Sequence, residues 1–273
     1  VEIRLLVSDM DGTLLDEQGR ISEENRDAIA WFCRQGGLFT LATGRMEASV
    51  APYLEQVEVN APLILYNGAR LVDMRTRTVL WEAFLPPEAY ELVEAVRAAF
   101  PDVNTVLYHG GVPYAYPYTE RVAEHERKDG VACARLDRLA DLPPGPLTKV
   151  LWIIEPERLE DLKGWVKEQR LDVQFVQSDV DYLECIPQGA TKGDGLARLA
   201  ELLGLSLSAV AAIGDNLNDY EMVRRAGFGV AVANAHPELK EVADWISPPH
   251  GEHAVAACIA KLRREGRVPV AAR

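Results

Sequence analysis

Short apolar runs that stop at polar or glycine-bearing turns, each followed by a helix-period stretch, constrain this chain more than any other feature. Ile3 to Ser8, Leu38 to Ala42 and Leu63 to Tyr66 read as strands, the last broken at Asn67 and Gly68. Between the first two, Ser22 reads as the N-cap of a helix that carries Ala28, Ile29, Phe32 and Cys33 on one face and stops at Gly36 and Gly37. A short helix to about Leu54 precedes the third strand. After Gly189 the same alternation returns: a helix from Lys192 to Leu203, a strand from Val210 to Ile213, a helix near Leu217 to Ala226, a strand from Gly229 to Val232 and a last helix over roughly Glu252 to Arg264. A parallel βαβ series is the arrangement such an alternation supports.

The middle of the chain breaks the pattern. Arg70 to Glu82 reads as a hairpin around "MRTR". Between Pro86 and Pro187 helices are expected at Pro87 to Phe100, Thr119 to Arg127 and Pro156 to Arg170. They alternate with strands at Val103 to Tyr108, Lys149 to Ile154, Val173 to Val176 and Tyr182 to Ile186, with proline-rich joints such as "DLPPGPL". The change divides the chain into a core of residues 1–84 and 188–273 and an inserted α+β domain of residues 85–187. The tail "GRVPVAAR" offers little to pack and is expected to be loose.

In "LLVSDMDGTLLDE" the first strand runs into acids. Residues two apart on a strand point the same way, so Asp9 and Asp11 present both carboxylates to one spot. Two like charges there repel unless a cation lies between them, and a hard, oxygen-ligated ion such as Mg2+ is the natural solution beside a phosphate. Gly12 allows a sharp turn at the carboxyl edge of the sheet, where open α/β sheets bind ligands. "LATGR" ends a second strand with the Thr43 hydroxyl and free amides for an anion. In "GATKGDG" Lys192 opens a helix whose N-terminus also attracts phosphate, and "AAIGDNLND" ends a third strand with Asp215, Asn218 and Asp219.

With 29 Lys plus Arg against 42 Asp plus Glu, the net charge of −13 argues against a nucleic-acid footprint or an anionic membrane surface. An anionic substrate must therefore be recognised locally. No apolar run approaches the ~20 residues of a membrane span, and Val1 to Val7 is too short and too soon acidic for a secretion signal. Cys33, Cys133, Cys185 and Cys258 have no paired spacing and read as free thiols of a reducing compartment, so a cytoplasmic location is expected. The sequence does not specify an oligomeric state.

"DMDGTLL", "TGR", "TKGDGL" and "GDNLNDYEMV", in this order, resemble the haloacid dehalogenase-like (HAD) hydrolase superfamily over almost the whole chain. "NGA" before the insertion and "DYLECIPQGATKG" closing it resemble the C2B-capped, Cof-like phosphatase branch. The resemblance implies an α/β fold: a Rossmann-like parallel-sheet core with an inserted α+β C2B cap that supplies substrate specificity. It implies Asp9 as nucleophile and Mg2+ ligand. Asp11 would be the acid that protonates the leaving alkoxide and then activates water, its carbonyl also on the metal. Thr43, Gly44, Lys192 and Asn218 would lie around the phosphoryl group, with Asp215 as metal ligand and Asp219 supporting a metal-bound water. Thr13 and Asn67 would contribute around the site, and Glu184 would look onto it from the cap. Arg45 either binds substrate or pairs with a neighbouring carboxylate.

The departures are mild: Val232 and Ala233 in "GVAVANA", and "PPHGEHAVA" in place of a more acidic run, border the site without altering a motif side chain. His250 and His253 lack the spacing and thiolate neighbours of a zinc site. Tyr108, Tyr114, Tyr116 and Tyr118 either pack within the insertion or line a ring pocket. The expected activity is Mg2+-dependent hydrolysis of a small phosphorylated metabolite, a sugar phosphate first, with FMN or pyridoxal phosphate as other candidates. The alternatives are a phosphomutase and, in another class, a phospho-accepting signalling module, which Asp11 and the insertion disfavour.

Overall fold

A computed structural model describes residues 1–270. Among them the strands are β1 (Leu5–Ser8), β2 (Leu38–Leu41), β3 (Leu63–Leu65), β4 (Arg70–Asp73), β5 (Thr78–Glu82), β6 (Asn104–His109), β7 (Val112–Tyr116), β8 (Ala134–Arg135), β9 (Leu147–Ile153), β10 (Val173–Asp179), β11 (Tyr182–Pro187), β12 (Val210–Gly214), β13 (Phe228–Val232) and β14 (Trp245–Ser247). The helices are α1 (Glu23–Arg34), α2 (Glu47–Leu54), α3 (Ala89–Ala99), α4 (Glu120–Asp129), α5 (Pro156–Glu168), α6 (Lys192–Leu202), α7 (Tyr220–Arg225), α8 (Pro237–Val242) and α9 (Ala254–Arg264). The chain forms two compact units. One holds Val1–Gly44, Val50–Glu82 and the chain from Thr191 on; the other holds Arg45–Ser49 and Ala83–Ala190.

The first unit is built on a parallel sheet in the order β14-β13-β12-β1-β2. Leu5 pairs with both Val210 and Leu38, which places β1 inside the sheet with its carboxyl end beside that of β12. A single parallel bridge from Ala42 to Ile64 joins β3 to this edge, and β3 turns back through the antiparallel β4 and β5. On one face Leu5, Val7, Val210 and Ala212 pack against Leu196, Leu199 and Ala200 of α6 and Met222 of α7. Each fully buried Leu or Val contributes roughly 1.5–3 kcal/mol relative to exposure. Ser22 caps α1 by accepting from the Asn25 amide, and α1 and α9 pack together, burying Ile29, Phe32, Cys258 and Leu262. Where α6 meets the turn after β3, a Cβ on Gly195 would lie 2.6 Å from Ile64 Cγ2 and 3.3 Å from Gly68 Cα, so only glycine permits this approach.

The tail differs from expectation over its described part. Arg267 accepts a hydrogen bond from the Ile3 amide at 2.7 Å, its guanidinium lies over the Phe228 ring, and Pro269 is buried, so the backbone partner of the first residues comes from the last ones. Ala271 to Arg273 lie outside the described residues.

The second unit is a six-stranded sheet, β10-β11-β9-β6-β7-β8, antiparallel except for β7 with β8. Leu92, Val93 and Val96 of α3 and Leu159, Leu162 and Val166 of α5 bury one face over Leu107, Val150 and Trp152. On the opposite face α4 places His125 between Tyr108 and Tyr182, with hydroxyls at 3.0 and 3.1 Å from its two ring nitrogens. Burial depresses the His125 pKa. The tyrosines therefore separate: Tyr108 belongs to this polar face, Tyr116 to the core under α3, and Tyr118 bonds Glu126. Strand β7 is an addition to the sequence reading. Pro113 and the neighbouring prolines mask its alternation, yet Pro113 pairs with Tyr108 inside the sheet.

Candidate active site

The carboxyl ends of β1 and β12 bring the acids together. The Asp9 amide continues the sheet by donating to Ile213 O at 2.9 Å, so its side chain projects at the sheet edge. The chain then makes one wide turn over Met10–Leu14, closed by Leu15 N donating to Met10 O, with Gly12 at φ +76°. A side chain at Gly12 is excluded twice, by this backbone conformation and by space: a Cβ would lie 2.5 Å from Asp215 Oδ2. Thr13 Oγ1 donates to Asp215 Oδ1 at 3.1 Å, tying the turn to the end of β12.

Lys192, 1% exposed, is the electrostatic centre. Its Nζ lies 2.6 Å from Asp9 Oδ1 and 2.7 Å from Asp219 Oδ1. Burial works against the ammonium, but Asp219 and Asp9 outweigh it and hold the pKa above the ordinary lysine value. Asp219 is fully buried. Its second oxygen accepts from the amides of Asp215 at 2.9 Å and Asn216 at 3.2 Å, so one carboxylate orients both the lysine and the loop that carries Asp215. The N-terminus of α6 is capped from within: Thr191 Oγ1 accepts from Asp194 N, and Asp194 Oδ2 accepts from Thr191 N.

Asp9, Asp215 and Asp219 each offer a carboxylate oxygen within 4.8 Å of the others. Burial, then the charge of Asp219, pushes the Asp215 carboxyl up to about 7. Burial and Asp219 raise Asp9 well above the carboxylate range despite Lys192. Carboxylates crowded this way are relieved by a cation, and an all-oxygen set suits a hard divalent one. The residues present therefore fit a divalent metal. The Asp11 carboxylate is outside this trio: β1 ends at Ser8 and Met10–Leu14 form a turn, so the strand alternation expected to bring the Asp9 and Asp11 carboxylates to one spot does not extend to them, and what the family resemblance asks of Asp11 as a ligand is its backbone carbonyl.

The structure distributes the remaining residues as follows. Thr43 caps the β2 edge, but its amide is committed to Ile64 O at 2.9 Å, so it is not one of the free amides expected there. Its carbonyl accepts from Asn67 N at 2.9 Å, and Asn218 Nδ2 donates to Asn67 Oδ1 at 3.0 Å, which gathers Thr43, Asn67 and Asn218. Asn67 is 1% exposed, sits at φ +58°, and its Nδ2 has no hydrogen-bond partner. Gly44 ends the core segment.

Arg45 groups with the other compact unit. Its guanidinium donates to Ser49 Oγ at 2.9 Å and to the Lys128 carbonyl at 3.3 Å, and lies 3.8 Å from the Asp129 carboxylate. Of the two roles considered for it, pairing with a carboxylate is the one these contacts display. Glu184 is buried in the second unit, 2.7 Å from Lys149 Nζ and hydrogen-bonded by the Ser178 hydroxyl.

The roles of two residues, one of them weighed in the sequence only as a zinc ligand, escaped the sequence reading. Asn234 Nδ2 donates to Gly12 O at 2.9 Å and its Oδ1 accepts from His250 N at 3.0 Å. His250 Nδ1 lies 2.7 Å from Leu15 O. Together they brace the acidic turn from the β13 side, and neither carries a motif that would signal the role.

A family profile for haloacid dehalogenase-like hydrolases matches residues 6–259. The chain is 32% identical over 239 residues to the HMP-PP phosphatase of Yersinia enterocolitica, covering 87% of this chain and 86% of the relative. It is 30% identical over 262 residues, 95% of each chain, to the 5-amino-6-(5-phospho-D-ribitylamino)uracil phosphatase YcsE of Bacillus subtilis. A crystal structure of a haloacid dehalogenase-like hydrolase from Bacteroides thetaiotaomicron superposes with a TM-score of 0.84 at 26% identity, covering 96% of this chain and all of that one. The acids at the ends of β1 and β12, the lysine opening α6 and these similarities agree, and the chain belongs to the haloacid dehalogenase-like hydrolase family.

Proposed function

We propose that the protein is a Mg2+-dependent phosphatase that hydrolyses a small phosphorylated metabolite, a sugar phosphate or sugar-alcohol phosphate first, through Asp9. The observation that carries this reading is the Asp9 carboxylate held 2.6 Å from the buried Lys192 ammonium with Asp215 beside it. Asp9 and Asp215, with the Asp11 carbonyl, would hold Mg2+, which when bound neutralises charge on the phosphoryl oxygens. Asp9 attacks phosphorus: an Oδ–P bond forms as the ester O–P bond breaks, and Asp11 donates its proton to the leaving alkoxide, a poor leaving group without one. Asp11 then takes a proton from water as the water oxygen attacks the aspartyl-phosphate, which releases phosphate and restores Asp9. Lys192 orients Asp9 and supplies positive charge to the phosphoryl oxygens, while Asp219 fixes Lys192.

Support for the substrate class comes from a relative named for a phospho-ribityl substrate. The inserted unit is read as the cap that selects the substrate and excludes water during phosphorylation. A cytoplasmic setting is supported by free thiols at Cys33, Cys133, Cys185 and Cys258. No helix among the described residues is long and apolar enough to cross a membrane. Phosphate release from a panel of sugar phosphates, nucleotides and pyridoxal phosphate, with and without EDTA and with Asp9→Asn as blank, tests the reading. Release that survives both chelation and the substitution overturns it.

A further inference from the structure

We infer that the Asn67 carboxamide contacts substrate directly, donating its Nδ2 hydrogens to an oxygen of the bound phosphate ester. This rests on the phosphatase reading and adds a residue to it. The side chain is 1% exposed and Nδ2 has no partner. A buried amide donor left unpaired is costly, so its retention points to a partner that arrives with the ligand. The orientation of the amide is fixed from its other end, because Oδ1 accepts from Asn218 Nδ2 at 3.0 Å. The backbone is fixed as well: Asn67 N donates to Thr43 O, and φ is +58° in a left-handed turn that asparagine tolerates and most residues do not.

The position is equally specific. Asn67 follows β3 at the carboxyl edge of the sheet, linked to Thr43 on one side and Asn218 on the other, while the first turn of α6 packs on Gly68 through Gly195. Lys192 opens that same turn. An acceptor-rich group placed among Thr43, Asn218 and Lys192 therefore finds an unpaired donor, and a phosphoryl group is all acceptor.

Asn67→Asp separates this role from a structural one. The aspartate keeps the acceptor that Asn218 Nδ2 uses and tolerates the same φ, yet replaces the donor by lone pairs. The expected result, at neutral pH and in excess Mg2+, is at least a tenfold rise in both the KM for the best ester and the dissociation constant of orthophosphate by calorimetry. Asn67→Gly, which keeps the backbone and removes the amide, is expected to weaken orthophosphate about tenfold. Orthophosphate binding by Asn67→Asp within threefold of wild type shows that the donor does not face the anion and overturns the inference. So does a wild type that fails to bind orthophosphate. A wild type that binds orthophosphate but cleaves no ester sinks the phosphatase reading, while the orthophosphate comparison still decides Asn67.

Discussion

Removing the charge at Asp215 is expected to stabilise the metal-free protein above neutral pH, an outcome opposite to that of most substitutions in a buried site. The Asp215 carboxyl is pushed from 3.8 up to about 7 by burial and by Asp219. The folded state therefore binds this proton more tightly than the unfolded chain. The associated stability is fully present below about pH 4 and is lost as pH rises through about 7. At about 1.4 kcal/mol per pKa unit the loss is of order 4 kcal/mol, and solvent reaching a partly buried group trims it to roughly 2–4 kcal/mol. Asp215→Asn cannot ionise, so it keeps what the wild type loses. Urea denaturation in EDTA at pH 5 and at pH 8 measures the difference. The wild type should lose stability relative to Asp215→Asn between the two pH values, and saturating Mg2+ at pH 8 should restore the wild type only, since the variant lacks the ligand. If wild type and variant fall in parallel between pH 5 and pH 8 in EDTA, the crowding argument for a cation at this site is refuted.

Lys192→Met leaves Asp9 and Asp219 buried without their shared cation; breaking a buried pair costs about 3–5 kcal/mol, and phosphatase activity should drop by about 10²-fold or more in a urea and initial-rate comparison. Gly12→Ala brings a Cβ to 2.5 Å from Asp215 Oδ2 at a φ of +76°, so Mg2+ affinity by calorimetry should weaken at least tenfold, beyond the ~1–2 kcal/mol stability loss of the backbone conformation. Asn234→Ala frees the Gly12 carbonyl and the His250 amide; a KM change under threefold with kcat lowered about tenfold is expected, because the turn that carries Asp11 loses its brace.

Much of this architecture follows from local chemistry that a reader of the sequence can weigh. Ser22 before α1, the glycines after it and the acids closing β1 act over a few residues, and they sit in the structure where their chemistry demands. Strand β14 escaped notice because three residues, Trp245–Ser247, carry no measurable alternation, and its place comes from pairing with Val230, Ala231 and Val232. In the candidate site the motifs located the acids and the lysine but not who holds whom. Asp219 binds Lys192 across 27 positions of sequence, a juxtaposition set by the packing of α6 against α7. The attachment of Arg45 to the carboxyl end of α4 joins residues 83 and 84 positions apart, which no local pattern encodes. Asn234 and His250 act through backbone contacts, and any residue type able to make them would have read as an ordinary loop.

The interior place of β1 has a consequence for synthesis. Leu5 through Ser8 pair on one side with β2, close in sequence, and on the other with Val210 through Ile213. In order of synthesis Asp9 and β2 come first, and a whole second unit is translated before β12, β13, β14 and Lys192 follow. Between the synthesis of β2 and that of β12, β1 therefore presents an unpaired apolar strand edge for chaperones to recognise.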